Sequence, residues 1–508
     1  MNRRTKIIAT LGPATDDPVV LENLILAGCD VVRVNFSHGN ADAHARRIRM
    51  VRAVARELDT DVAVLADLPG PKIRIGQFRD GSVELEAGEN FTLIASEDPP
   101  LGDLNQVGVS YLGLANDVRP GSELLLDDGL MALQVVAVEG QHIRCKVLTS
   151  GRLHDRKGLN LRGGGLSLPG VSEEDEGHIK NAAEWQVDYL AVSFPRSAAD
   201  MERARALLRQ ASGQAALVSK IERTEAIENL EEIIEASDAV LVARGDLGVE
   251  IGEAELPGLQ KRIITASLNQ NRPVITATQM MQSMIESPIP TRAEVSDVAN
   301  AVIDGTDAVM LSAETAVGKH PVKVIEAMSR ICEAAERHVQ AHIPQRRLTV
   351  KPERTDQAIA MAAMITANNV PVDAIIALTE SGSTAQWLSR VRSPVPIIAL
   401  SPNRASLRKM RLFQHVQPLF FASNLLNDRD NNRDNNQHDN RDDNRDDNSQ
   451  LIDLALQRVV EAKLVQPGQR IILTFGDDIG QHGGTNTMKI LKVPSENDAG
   501  GQTEIKNL

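Results

Sequence analysis

Eight times in this chain a short apolar run gives way to a cluster of polar, ligand-like residues and then to a helical stretch. The runs at 6–11, 30–36 and 62–66 lead into Gly12-Pro13, into Asn35-Phe36-Ser37-His38-Gly39 and into Asp67-Leu68-Pro69-Gly70-Pro71, with helical periodicity at 19–27 and 41–58 between them. After an interruption, 188–192 ends in Ser193-Phe194, 216–218 in Lys220-Ile221-Glu222 and 239–242 in Arg244-Gly245-Asp246. The last two, 273–275 and 308–311, end in Thr276-Ala277-Thr278-Gln279 and Ser312-Ala313-Glu314-Thr315. A strand, a helix and a second strand make a parallel crossover unit, and such units deliver the last residues of every strand to one edge. Eight of them predict an α/β fold, a (β/α)8 TIM barrel whose site lies at the C-terminal strand ends. The competing open, doubly wound sheet carries a G-x-G-x-x-G turn after its first strand, and none follows here.

Residues 217–250 carry the most pointed chemistry: a strand ending in Lys220 and Glu222, a helical stretch of about three turns, and a strand ending in Asp246. Lys220 and Glu222 are two apart on one strand, so their side chains leave the same face. A hard divalent cation takes carboxylate oxygens, and a phosphoryl group in transfer takes a nearby point charge. Glu222 and Asp246 suit the metal and Lys220 the phosphoryl oxygens; an ordinary ion pair at the end of a sheet is the competing reading.

The interruption, 72–168, reads as short β-runs at 82–85, 90–95, 123–126 and 131–138 separated by Gly, Pro and Asp-Asp-Gly turns. Inserted after the third strand, it predicts an all-β lid domain, a small β-barrel over the mouth of the large one. The catalytic barrel is therefore expected from 1–71 and 169–342, and a polar linker opens a C-terminal α/β domain at 343–508. Within that domain, 427–448 is eight Asn, eight Asp, four Arg, one Gln and one His, a composition with no apolar surface to offset ordering entropy. It is expected to be a disordered loop, with the fold resuming in a helix at 451–464, a strand at 470–475 and a Gly-rich end.

A chain of 508 residues with a formal charge of -14 is not built for nucleic acid or for an anionic membrane as main partner. Its three cysteines are far apart without metal-ligand spacing, the N-terminal apolar run is too short for a signal peptide, and no run approaches a membrane span. A cytoplasmic protein is the expectation.

Taken together, the segments NFSHG (35–39), DLPGPKIR (67–74), SKIE (219–222), VARGDLGVEI (242–251), ATQMM (277–281), PTRAEVSDVANAV (290–302) and DGTDAVMLSAET (304–315) resemble the pyruvate kinase family. The resemblance covers nearly the whole chain except the Asn/Asp/Arg tract. It implies a homotetramer that transfers phosphate from phosphoenolpyruvate to ADP, giving pyruvate and ATP, with Mg2+ or Mn2+ as cofactor. Residue by residue, Glu222 and Asp246 match the divalent-metal ligands, and Lys220 matches the lysine that balances charge on the phosphoryl group. The backbone N–H groups of Gly245 and Asp246, ahead of a turn at 247–251, suit the substrate carboxylate, as does the Thr278 hydroxyl. Arg33 matches a phosphate clamp and Arg74 a nucleotide-phosphate contact, with Asn35 and His38 beside the nucleotide. Asn35, Ser37, Asp67 and the Leu68 carbonyl match a monovalent-cation site.

One departure concerns that site. Members that need K+ have a glutamate where this chain has Lys72 and a threonine where it has Leu68, so an ammonium group is expected to stand in for the ion and K+ not to be required. In the third domain, Thr379, Ser381, Gly382, Ser383 and Thr384 lie between a strand and a helix and match the family's effector-phosphate loop; a helix cap alone is the simpler reading. The pattern looks closer to members activated by AMP or sugar monophosphates than by fructose 1,6-bisphosphate. Two other readings are open at this point. A different metal-dependent phosphoenolpyruvate barrel needs neither Lys220 nor Arg74, and a catalytically dead relative would be expected to lack Lys220, Glu222, Asp246 or Thr278.

Overall fold

The computed structural model describes residues 3–340, 352–422, 443–476 and 483–494. β1 (Lys6–Thr10), β2 (Val31–Asn35) and β3 (Ala63–Asp67) precede the insertion. The insertion holds β4 (Ser82–Leu85), β5 (Asn90–Ile94), β6 (Gln106–Gly108), β7 (Glu123–Leu126), β8 (Met131–Glu139), β9 (His142–Val147), β10 (Gly151–His154) and β11 (Leu159–Leu161). β12 (Tyr189–Val192), β13 (Ala216–Ile221), β14 (Ala239–Ala243), β15 (Val274–Ala277) and β16 (Ala308–Leu311) follow. The order β1-β2-β3-β12-β13-β14-β15-β16 closes on itself through parallel ladders, an eight-stranded barrel.

Alternation along these strands sorts their side chains into two sets. Val32, Val34, Val64, Ala66, Leu190, Val192, Val240 and Val242 join the core shared with the surrounding helices. Their neighbours Val31, Ala63, Leu65, Tyr189, Ala191, Ala239 and Leu241 form a second cluster continuous with Ala363, Met364, Leu388 and Met410 of the C-terminal domain. Apolar on both faces, the strands are buried as parallel strands must be, and the C-terminal domain adds to the core at one end of the barrel. The Tyr189 hydroxyl, on the first residue of β12, donates to the Lys409 carbonyl at 2.6 Å and marks that end as the N-terminal one.

The insertion has its own core, from Ile73 to Leu166. Its ladders form a six-stranded sheet, β11-β7-β8-β9-β5-β6, and a two-stranded one, β10-β4, rather than the small closed barrel the turns suggested. The Gly- and Pro-bearing stretches around Gly76 and Gly102 form isolated bridges, Arg74 to Gly158, Ile75 to Val109 and Phe78 to Gly102, instead of extended strands.

The C-terminal domain is a five-stranded sheet with β17 (Ala374–Leu378), β18 (Ile397–Ser401), β19 (Val416–Phe420), β20 (Arg470–Phe475) and β21 (Thr487–Lys492) in the order β19-β18-β17-β20-β21. β21 is antiparallel to β20, and its half-exposed to exposed residues, mixed apolar and lysine, lie within the expected Gly-rich end. Two further expectations need correcting. The helical stretch after Glu222 is split into Thr224–Glu228 and Leu230–Glu235, broken at Asn229, whose side chain donates to the Arg196 carbonyl at 2.8 Å. The expected loop at 427–448 lies outside the described residues as far as 442, but from 443 its backbone belongs to the helix Asp443–Glu461. Once the apolar part is packed, each added residue gains a backbone hydrogen bond, so helix extends into polar sequence. Part of the expected linker, 343–351, also lies outside the described residues.

Candidate active site

β2, β3, β12, β13, β14 and β15 each bring a polar group to one rim. Asp67, the last residue of β3, is 1 % exposed and grips two cations: Arg33 of β2, Nε to Oδ2 at 2.7 Å, and Lys220 of β13, Nζ to Oδ1 at 3.4 Å. Arg33 is steadied by the Thr10 hydroxyl at 3.1 Å, and Lys220 also lies 2.7 Å from Glu222 Oε1. Burial is the largest influence and opposes charge on both Asp67 and Lys220, but their partners together outweigh it: Lys220 and Arg33 hold the Asp67 carboxyl below its ordinary value, and Asp67 and Glu222 hold the Lys220 ammonium above its own.

Glu222 is different. Burial, with added repulsion from Asp246 and Asp67, pushes its carboxyl up to about 7 despite Lys220. Its Oε2 accepts the Phe194 N–H at 3.0 Å, whereas Oε1 takes no directed hydrogen bond among the described residues. A buried carboxylate whose charge is disfavoured by burial and by a second carboxylate nearby, even with Lys220 beside it, fits a missing cation. Among the described residues no cluster of three or more His, Cys, Asp or Glu forms a metal cage. Two carboxylates suit Mg2+, which keeps water and substrate oxygens in its shell.

Asp246 stands in the helix Arg244–Ile251, which begins three residues earlier than the turn expected at 247–251. Gly245 and Asp246 are thus first-turn residues, and the Gly245 N–H donates to Thr278 Oγ1 at 2.9 Å. Thr278 has φ +67, a left-handed conformation that costs a β-branched residue on the order of 1–2 kcal/mol. The structure therefore brings Arg33, Lys220, Glu222, Asp67, Gly245, Asp246 and Thr278 into one rim.

Lys72, at the start of the insertion, reaches this rim. Its Nζ pairs with Asp246 Oδ1 at 3.0 Å and forms no ion pair with Asp67 among the described residues. Of the four expected monovalent-cation ligands, Asp67 is taken by Arg33 and Lys220, and the Leu68 carbonyl accepts the Ser193 hydroxyl at 2.7 Å. Asn35 Oδ1 accepts the Ser37 N–H at 3.1 Å. His38 is exposed on the same turn, while Arg74 is exposed in the lid, donating to the Arg156 carbonyl at 3.1 Å. Ser193 is a residue that sequence reasoning passed over: its buried hydroxyl accepts from Lys220 at 2.8 Å. Only its place at a strand end signalled it.

In the third domain the Thr379 hydroxyl accepts the Gly382 N–H at 3.0 Å, Ser383 N lies 3.4 Å from Ser381 Oγ, and Thr384 pairs with Thr485 at 2.6 Å. Gly382 adopts φ +87, where glycine is at ease.

Comparison with known proteins agrees with this geometry. The family model for the pyruvate kinase barrel domain matches residues 2–325, and that for the pyruvate kinase alpha/beta domain matches 357–491. The chain belongs to the pyruvate kinase family. It is 46 % identical to pyruvate kinase II of Salmonella typhimurium and 45 % identical to pyruvate kinase of Buchnera aphidicola subsp. Baizongia pistaciae, each over 97 % of this chain and 99 % of the relative. The crystal structure of a pyruvate kinase from Cryptosporidium parvum superposes with a TM-score of 0.85 at 33 % identity, covering 97 % of this chain and 96 % of that one. The chain is accordingly a phosphotransferase of glycolysis.

Proposed function

We propose that the rim residues divide the transfer of a phosphoryl group from phosphoenolpyruvate to ADP among them as follows. Arg33 clamps the phosphate in the ground state, and Lys220 neutralises its oxygens as the bond to the enol oxygen breaks and the bond to the ADP phosphate oxygen forms. Asp67 holds both cations side by side, and the support for this reading is that one buried carboxylate contacts both. Glu222 and Asp246 hold Mg2+ or Mn2+, which when bound supplies Lewis-acid stabilisation of oxygen charge. The Thr278 hydroxyl and the N–H groups of Gly245 and Asp246 bind the substrate carboxylate at a helix start. Asn35, His38 and Arg74 face the nucleotide, Arg74 from the lid. The remaining enolate gains a proton at carbon to give pyruvate.

Lys72 brings a fixed cation to Asp246, and on that ground the enzyme works without K+ at the Asn35, Ser37, Asp67 and Leu68 set. The hydroxyls of Thr379, Ser381, Ser383 and Thr384, with the Gly382 N–H, take the phosphate of an activating metabolite such as AMP or a sugar monophosphate, which would shift the phosphoenolpyruvate saturation curve. The working form is a cytoplasmic homotetramer. Among the described residues no helix is long and apolar enough to cross a membrane.

The deciding assay is pyruvate formation from phosphoenolpyruvate and ADP with Mg2+, for the wild type and Lys220→Ala, with and without K+. The variant should lose on the order of 10²–10³ in kcat, the range for removing a preorganised charge partner of the transition state. A variant within tenfold of wild type would sink the assignment of Lys220, and strong stimulation by K+ would sink that of Lys72.

A further inference from the structure

Behind the rim lies a guanidinium to which no role has been given. Arg244 is 8 % exposed and commits all five of its N–H donors. Nε donates to the Ala277 carbonyl at 3.1 Å, and Nη2 to the Thr278 carbonyl at 2.7 Å. Nη1 and Nη2 grip Asp297 through two parallel bonds of 2.6 and 2.7 Å, and Nη1 reaches Gln260 Oε1 at 3.3 Å. Met280 Sδ lies 2.8 Å from Nη2.

The two carbonyls it holds belong to the most unusual backbone of the rim. Thr278 and Gln279 follow β15 with φ +67 and +53, two successive left-handed residues, neither of them glycine. Such a conformation persists only where surroundings over-determine it, and Arg244 fixes the peptide groups on both sides of the Thr278 Cα. The consequence is directional: the turn aims Thr278 Oγ1 at the N–H of Gly245, the residue after Arg244 itself. Arg244 thus starts the helix whose first turn carries Gly245 and Asp246, while its side chain pins the turn carrying the opposing hydroxyl. Asp297 comes from the helix Arg292–Asp304, whose start is fixed by a Thr291–Glu294 capping box, so the anion orienting the fork is itself anchored. A planar, two-pronged donor is needed here, and lysine cannot replace it.

We propose that Arg244, oriented by Asp297, is a positioning residue for phosphoryl transfer: it locks the strained Thr278 turn against the start of the helix Arg244–Ile251, giving the substrate carboxylate a single geometry. This rests on the reading of Thr278 as a substrate ligand. The test is a double-mutant cycle, measuring kcat, KM for both substrates and thermal unfolding of Arg244→Lys, Thr278→Val and the pair. Val keeps the β-branched shape and removes only the hydroxyl. Arg244→Lys should lower kcat/KM for phosphoenolpyruvate about 10²-fold, as small misplacements do, with KM for ADP changed less than about twofold. In the Thr278→Val background the same change should cost less than about threefold more, because there is no hydroxyl left to aim. If the two losses multiply, the clamp is overturned and the reading of Thr278 stands. If Thr278→Val is fully active, the reading falls and the clamp with it. Should Arg244→Lys fail to fold, Asp297→Asn enters the cycle in its place with the same expected pattern.

Discussion

Asp67 and His44 show how single buried groups set the state of the NFSHG side of the mouth. Asp67 keeps its charge because two cations compensate its burial; His44 has none and gives its charge up. Its ring is 3 % exposed, 5.1 Å from that of Phe36, bonded to the His38 backbone, and its Nδ1 has no partner among the described residues. A second ring proton would be buried without an acceptor. Burial, then the charges of Arg47 and His178, lower its pKa from 6.5 to about 4. The unfolded chain therefore takes up more protons than the folded one as pH falls from 6.5 towards 4, and stability falls with it. The contribution of the neutral ring is fully present above 6.5 and lost as pH approaches 4, about 2 kcal/mol being gone at about pH 5. Thermal unfolding at about pH 7.5 and about pH 5 should show a smaller acid-induced drop for His44→Gln than for the wild type; equal drops would refute this account.

At the scale of elements, the turn that leaves β3 for the lid couples backbone to chemistry. Gly70 has φ +67, and an added Cβ would sit 2.7 Å from the Ser193 Cβ. Ser193 accepts the Lys220 ammonium, so Gly70→Ala has to push the serine or shift the turn. It is expected to lower kcat about tenfold or more, through misplacement of Lys220; an unchanged kcat would show that the Ser193 contact is idle. This also explains what the sequence revealed and what it withheld. Each strand end is a local pattern, so the eight barrel units and the polar residues Asp67, Lys220, Glu222, Asp246 and Thr278 could be read one unit at a time. Ser193, the pairing of Lys72 with Asp246 and the grip of Arg244 on β15 depend on which strand ends become neighbours in space. Residues 27 to 174 positions apart meet in those contacts, beyond any periodicity: 27 separate Ser193 from Lys220, 33 separate Arg244 from Ala277, and 174 separate Lys72 from Asp246. The split at Asn229 was hidden for a similar reason, since the carbonyl that its side chain binds lies in another βα unit.

Across the whole molecule, catalytic rim and proposed effector loop belong to different domains, and what joins them is the floor of the barrel. Arg390, following the helix Ser383–Ser389 that the effector loop starts, reaches Asp307 at the entrance to β16, with Nη1 to Oδ2 at 2.9 Å and a second contact from Nη2. Both side chains are buried, and Asp307 also accepts the N–H groups of Val274 at 3.0 Å and Gln414 at 3.1 Å. One carboxylate therefore ties two barrel strands to the C-terminal domain. Truncating its cation leaves a buried charge without its main partner, a loss of about 3–5 kcal/mol in comparable pairs. Arg390→Met should accordingly lower the unfolding temperature and, because docking would then rest on the apolar cluster through Leu65 and Leu388 and on peripheral contacts such as Arg408 to Asp188 and Tyr189 to Lys409, separate unfolding into two calorimetric transitions. A single transition at the wild-type temperature would show that the remaining contacts suffice for docking without Arg390. If the split does appear, activation by a phosphorylated metabolite should vanish in the same variant while basal turnover persists, since the rim residues lie at the opposite ends of the strands and take no direct contact from Arg390.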